Sequence, residues 1–246
     1  MRHWPLYGPR CSPRLSESHV RPQRLVAVVG TGTDVGKTWV SARLLSTLRQ
    51  AGVTVAARKL AQSFDPREDP AGFDSARLGA SSGEPSKVVC PPHRWYEVAM
   101  APPMAADVLG RGRVTTADVL EELIWPAFMV EVGLVETAGG VRSPQTHDGD
   151  GVEVVAALAP DVVVLVADAG LGTINAVRLT AGALTDSGVG HGGLTTGGRL
   201  VVVLNRFDQR SDVHRRNRGW LTGQDGMTVV ALPGEEQSLA TLVRSL

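Results

Sequence analysis

The chain has 246 residues, 43% of them hydrophobic but only 4% aromatic, with no net charge and two cysteines. That length suits one α/β domain whose core is built from Val, Ala and Leu, as in a parallel sheet covered by helices. The charge balance provides no field for nucleic acid or an anionic membrane, Cys11 and Cys90 make neither a disulfide framework nor a zinc pattern, and no apolar run is long enough to cross a bilayer, so a cytoplasmic location is expected.

Residues 1–23 scatter Arg2, Arg10, Arg14 and Arg21 among prolines and serines. They lack the apolar centre of a secretory signal and read as a disordered basic extension, leaving 24–246 as a single domain. The uncharged run 25–29 reads as a buried strand. It enters Gly30-Thr31-Gly32-Thr33-Asp34-Val35-Gly36-Lys37-Thr38, and apolar residues at Val40, Leu44, Leu45 and Leu48 then follow helical spacing. Strand, glycine loop and helix with Gly-Lys-Thr at the junction form the context of a P-loop. In such a loop the backbone N–H groups of Gly32 to Thr38 face an anion at a helix N-terminus. Lys37 is then expected on the β- and γ-phosphates and Thr38 on Mg²⁺. The spacing is a variant: Thr31 occupies the usual first glycine position and Gly30 lies one residue further out.

A second strand is expected over 53–57, ending at Arg58-Lys59. A dinucleotide fold wants G-x-G-x-x-G and an acid at the end of that strand. Here the glycines are spaced G-x-G-x-x-x-G and the strand end carries Lys59, a cation suited to a further phosphate or a developing negative charge. Residues 62–72 read as a mobile loop. Asp74 reads either as the N-cap of the next helix or as a magnesium ligand. Residues 81–113 are irregular, with a short helical stretch near 104–109, and a helix is expected to start at Thr115.

The apolar run 129–135 ends in Glu136-Thr137-Ala138-Gly139-Gly140, a Walker B-like acid at a strand end beside the expected magnesium. A helix over 152–159 precedes the most hydrophobic strand, 161–167, which should be central. It ends in a second glycine turn, Asp168 to Asn175, with N–H groups suited to a carboxylate. A helix over 176–184, a glycine-rich loop over 186–198 and a strand over 200–204 follow. Asn205 at that strand's end can both donate to and accept from a base edge. The basic stretch 214–218 reads as a solvated helix face. A last strand over 227–232 and a last helix over 238–246 complete a mostly parallel α/β sheet of the P-loop NTPase type, with helices on both faces.

Taken together these residues resemble the dethiobiotin synthetase family of ATP-dependent carboxylase-cyclases. The P-loop with its offset glycine is similar to that family's. Val135-Glu136-Thr137-Ala138-Gly139-Gly140 resembles its Val-Glu-Gly-Ala-Gly-Gly, Gly170-Leu171-Gly172-Thr173-Ile174-Asn175 its Leu-Gly-x-Ile/Leu-Asn loop, and Lys59 with Ser63 its Lys-Pro-x-x-Ser/Thr-Gly. The resemblance implies ATP, Mg²⁺, a diamino acid (7,8-diaminopelargonate) and CO₂ or bicarbonate as ligands, and a homodimer. It also implies Lys37, Lys59 and Thr33 as catalytic groups, and Thr38, Asp74 and Glu136 around Mg²⁺. Thr33 and Ser63 would meet the substrate amines or carbamate, Gly172, Thr173, Ile174 and Asn175 would hold the substrate carboxylate across the dimer interface, and Asn205 would meet adenine. The departures are Leu60 and Phe64 in place of the family's Pro and Gly, Thr137 in place of a Gly, and a loosely matching Leu232-Pro233-Gly234. The alternatives are an ATP-dependent ligase of another amine or acid, and a non-catalytic nucleotide-binding regulatory module.

Overall fold

A computed structural model of the chain describes residues 20–185 and 199–245. Most of the expected basic extension, the expected loop over 186–198 and the last residue of the helix expected over 238–246 lie outside the described residues. Of the extension, Val20 to Gln23 lead into the sheet: Gln23 N donates to the Val130 carbonyl and the Arg21 guanidinium to that of Ala159.

Six strands form one all-parallel sheet: β1 (Arg24–Gly30), β2 (Val55–Lys59), β5 (Val132–Glu136), β6 (Val162–Asp168), β7 (Arg199–Asn205) and β8 (Val229–Ala231), in the order β2-β5-β1-β6-β7-β8. Two short strands, β3 (Gln62–Ser63) and β4 (Trp95–Tyr96), pair separately, also in parallel. The helices are α1 (Lys37–Gln50), α2 (Asp74–Ser82), α3 (Ser86–Val89), α4 (Pro102–Val108), α5 (Thr116–Glu121), α6 (Gly151–Leu158), α7 (Thr173–Thr185), α8 (Asp212–Gly223) and α9 (Glu236–Arg244).

Both faces of the sheet are buried, which is why its strands are continuous Val/Ala/Leu runs without alternation. Val26 and Val28 of β1 pack with Leu44 and Leu48 of α1 and Leu239 and Val243 of α9. Ala27 and Val29, on the opposite face, pack with Val152 and Val155 of α6, Val177 of α7 and Leu221 of α8. Each fully buried Val or Leu contributes about 1.5–3 kcal/mol, so this double-sided core fixes the strand register, and the register in turn aligns the strand ends. Lys59 stands opposite Glu136, Glu136 opposite Val28, and Asp168 opposite Asn205. All these polar residues emerge at the carboxyl edge, where open α/β sheets bind ligands.

Several boundaries differ from expectation. β2 starts two residues later than 53 and ends at Lys59 as expected, with Arg58 and Lys59 buried within the strand. Residues 62–72 contain β3 and a 3₁₀ turn at Pro70–Gly72, so the expected loop is partly ordered by pairing with β4. Asp74 is not an N-cap: Phe73 holds that position and Asp74 begins the helix itself. α7 starts at Thr173, immediately after Gly172 at φ 91°, so three residues read as loop belong to its first turn. The Thr115 start is a full capping box with Asp118.

Candidate active site

The loop between β1 and α1 is shaped by glycines that cannot carry a side chain. A Cβ on Gly30 would lie 2.9 Å from the Val35 side chain and 3.1 Å from that of Lys37, so the offset glycine lets the loop fold over its own strand. Gly36 sits at φ 91° as the N-cap of α1, and no side chain caps that helix. Its first-turn N–H groups therefore remain for an anion. Asp34 at the loop apex also has a positive φ of 58°, and its carbonyl accepts from the Arg206 guanidinium at 2.6 Å. Arg206 bridges onward to Asp168 at 2.9 Å, tying the apex to the end of β6.

Behind the loop is a compact polar cluster. The Lys59 ammonium lies 2.7 Å from Glu136 and 2.7 Å from Asp74. The Thr38 hydroxyl donates to the same Glu136 oxygen at 2.7 Å, and Ser41 donates to the other at 2.6 Å. Glu136 is wholly buried, and three donors, Lys59, Thr38 and Ser41, satisfy its two oxygens. Burial works against the Lys59 charge, but Glu136 and then Asp74 outweigh it and hold its pKa above the ordinary lysine value. For Asp74, burial is again the largest influence and opposes ionisation; the Lys59 ammonium overcomes it and keeps the carboxyl below the usual range. Lys59 is thus a fixed cation, not a proton carrier.

Lys37 behaves oppositely. Its ammonium turns back to the Gly32 carbonyl at 3.1 Å, and burial, followed by the repulsion of Lys59, lowers its pKa to about 8. A bound phosphate would restore the charged form, so phosphate binding takes up a proton once the free lysine has begun to lose its own. ATP affinity is therefore expected to be flat below pH 7 and to fall as the pH rises through 8. Calorimetry in buffers of different ionisation enthalpy should show proton uptake at pH 8.5 and little at pH 6.5; equal uptake at both would remove Lys37 as the titrating group.

These elements border a cleft of about 1030 Å³. Thr33, Asp34, Gly36, Lys37, Thr38, Lys59, Ser63, Asp74 and Asn205 all line it. Glu136 lies one layer behind, reached through Thr38 and Lys59. Gly172, Thr173, Ile174 and Asn175 do not line the cleft; their turn lies at the end of β6, where Asn217 holds the Gly170 carbonyl at 2.8 Å. Asn205 donates its amide to the Val35 carbonyl at 2.9 Å, which fixes its orientation toward the loop.

Of the departures, Phe64 and Pro233 face the cleft, Phe64 with its ring 4.3 Å from that of Phe73. Leu60 packs with Ala56, Trp125 and Leu158 in the core, and Thr137 is buried with its hydroxyl toward the Val28 carbonyl, so neither reshapes the cleft. The far wall is apolar, formed by Phe64, Phe73, Met100, Ala101 and Pro102. Sequence reasoning missed Ser41 and Arg206. Ser41 lies one helical turn beyond Thr38, which puts it on the same helix face. Arg206 carries no pattern of its own.

The donor set around Thr38 suits magnesium. Two carboxylates and a hydroxyl are hard oxygen ligands, and Mg²⁺ takes few protein ligands because it keeps several waters. Among the described residues no group of three His, Cys, Asp or Glu side chains is placed to hold a metal, so a soft-metal centre has no ligand set there.

A family model described as an AAA domain matches residues 24–231. The ATP-dependent dethiobiotin synthetase of Caulobacter sp. strain K31 is 41% identical over 156 residues, which span 63% of this chain and 66% of that one. The enzyme of the same name from Haloferax mediterranei is 35% identical over 84% of this chain and 82% of its own, and that of Anaeromyxobacter sp. strain K 36% identical over 75% and 78%. Among solved structures, a plasmid partition protein of Borrelia burgdorferi superposes with a TM-score of 0.52 over 92% of this chain and 98% of that one; at 12% identity it speaks for the fold alone, that of the P-loop NTPases. The protein belongs to the ATP-dependent dethiobiotin synthetase family.

Proposed function

We propose that the protein is an ATP- and Mg²⁺-dependent cyclo-ligase that converts 7,8-diaminopelargonate and CO₂ to dethiobiotin through a phosphorylated carbamate. The observation that carries this reading is the convergence of Asp74 and Glu136 on the Lys59 ammonium, with the Thr38 hydroxyl on the same Glu136 oxygen, directly beside Lys37. Two buried cations in a row suit a reaction that brings an anionic carbamate up to an anionic phosphoryl group.

Lys37 holds the terminal phosphates, and the P-loop N–H groups surround them. Lys59, charged at all working pH values, neutralises the carbamate oxygens and lowers the repulsion between the two anions. Mg²⁺, held by Thr38 and Asp74 with Glu136 behind them, would neutralise the phosphate oxygens of ATP. Thr33 and Ser63 face the amines or carbamate. Ser63 Oγ is buried and unpartnered in the protein, which leaves it ready for a ligand atom. The apolar wall from Phe64 to Pro102 accepts the alkyl chain. The second amine then attacks the carbamoyl phosphate carbon, closing the cyclic urea and releasing phosphate.

In this reading the turn Gly172 to Asn175 serves the cleft of a second subunit in a homodimer. Its absence from the lining of its own cleft and the exposed Leu171 and Leu179 beside it support that arrangement. No helix among the described residues is long and apolar enough to cross a membrane, in keeping with a small-molecule enzyme of the cytoplasm.

The test is release of ADP and phosphate. Turnover is expected to require both diaminopelargonate and bicarbonate and to fall by at least about 10²–10³ in Lys37→Ala. ATP turnover indifferent to both substrates would instead favour a regulatory nucleotide-binding module.

A further inference from the structure

Trp39 is an exposed large aromatic residue that lines the cleft, and none of the roles above uses it. It follows Thr38 directly, at the start of α1, so it stands just beyond the phosphate-binding turn. The same cleft is lined by Asn205, Arg206 and Pro233, from the ends of β7 and β8. Arg43, one turn along the helix, lies over the Trp39 ring at 5.7 Å. Arg43 is itself held by Glu236 at 2.9 Å, and Glu236 also accepts from the Gly234 backbone at 3.1 Å. The chain Glu236–Arg43–Trp39 therefore pins the indole and clips the Pro233-Gly234 turn to α1.

A pinned aromatic ring in the same cleft as an oriented side-chain amide, one step past a phosphate cradle, matches the chemistry of a nucleobase. The ring offers a π-face for stacking and the amide a donor and acceptor for a base edge. We infer that Trp39 is the stacking platform for the nucleotide base, and that Arg43 and Glu236 are positioning residues that hold it. Trp39 can serve a base only if the P-loop holds a nucleotide, so this assignment rests on the function proposed above. Stacking is tolerant of base identity, because every base has a π-face; Trp39 therefore supplies affinity, and any choice between bases falls to Asn205 and the β8 turn.

The experiment compares Mg²⁺-ATP with Mg²⁺-tripolyphosphate, which has the phosphates and no base, by isothermal titration of the full chain. In the parent protein ATP is expected to bind more tightly than tripolyphosphate. Trp39→Ala and Trp39→Leu should each weaken ATP about tenfold or more, equivalent to about 1.4 kcal/mol, and leave tripolyphosphate within about twofold. Trp39→Phe, which keeps a π-face, should retain most of the ATP affinity. Arg43→Ala should give a partial loss of the same selective kind. Unchanged ATP affinity in Trp39→Leu would overturn the assignment. So would an equal loss of both ligands, which would make Trp39 a structural support of the loop. Failure of the parent protein to bind either ligand would overturn the nucleotide reading itself, and Trp39's role with it.

Discussion

Replacing Lys59 by alanine is expected to lower folding stability by about 3–5 kcal/mol, the usual consequence of stripping one partner from a buried ion pair, and to reduce turnover by at least about 10²–10³. The reason is the company Lys59 keeps. Glu136 has no exposed surface, and one of its oxygens is shared between Lys59 and Thr38. Without the ammonium the carboxylate retains only two hydroxyl donors, Thr38 and Ser41. A buried carboxylate is then left without its charged partner. Urea unfolding at pH 7 measures the first effect and phosphate release the second. The double variant Lys59→Met with Glu136→Gln separates them. It removes both charges at similar volume, so stability should return to within about 1–2 kcal/mol of the parent while activity stays lost. A double variant as unstable as Lys59→Ala would show that the pair is not the source of the loss.

The same cluster shows what a sequence can disclose. Lys59, Glu136 and Asn205 were legible because each ends an apolar run, and in a doubly covered parallel sheet the end of such a run is the carboxyl edge. The register places Lys59 against Glu136, but no one-dimensional pattern announces that pairing. Asp74 illustrates the limit: at a helix start it reads either as a cap or as a metal ligand, and what decides against the cap, with Phe73 in that position and the carboxylate drawn to Lys59, is a contact with a different element. Leu60 adjoins Lys59 in sequence, which makes it look like a cleft residue. Its side chain instead packs beneath Trp125 and Leu158, as alternation beyond a buried strand end directs. Phe64 does face the cleft, but its stacking partner Phe73 lies nine residues away across a segment that reads as irregular. Arg206 acts through a long-range contact to Asp34 that leaves no local spacing to find, whereas Ser41, bonded to Glu136, is marked only by its place one helical turn beyond Thr38.

The other large effect expected is at Gly36, where one methyl group should disable the phosphate loop. Two costs meet there. The residue sits at φ 91°, where a side chain costs about 1–2 kcal/mol. Its Cβ would also lie 2.0 Å from Asn205 Nδ2, so the amide must leave its hydrogen bond to Val35, worth about 0.5–1.5 kcal/mol. If about 2 kcal/mol of this falls on the binding-competent loop, Gly36→Ala should weaken Mg²⁺-tripolyphosphate by at least about 30-fold. Gly52→Ala is the matched comparison, since Gly52 has φ 78° but no atom within 4 Å of the added Cβ. It should bear only the backbone strain, about 1–2 kcal/mol of stability, with phosphate affinity intact. Adding Asn205→Ala to Gly36→Ala relieves the collision and should restore part of the tripolyphosphate affinity, a readout that does not depend on any base contact made by Asn205. If the double variant binds no better than Gly36→Ala alone, strain at φ and not the clash with Asn205 sets the loop's intolerance.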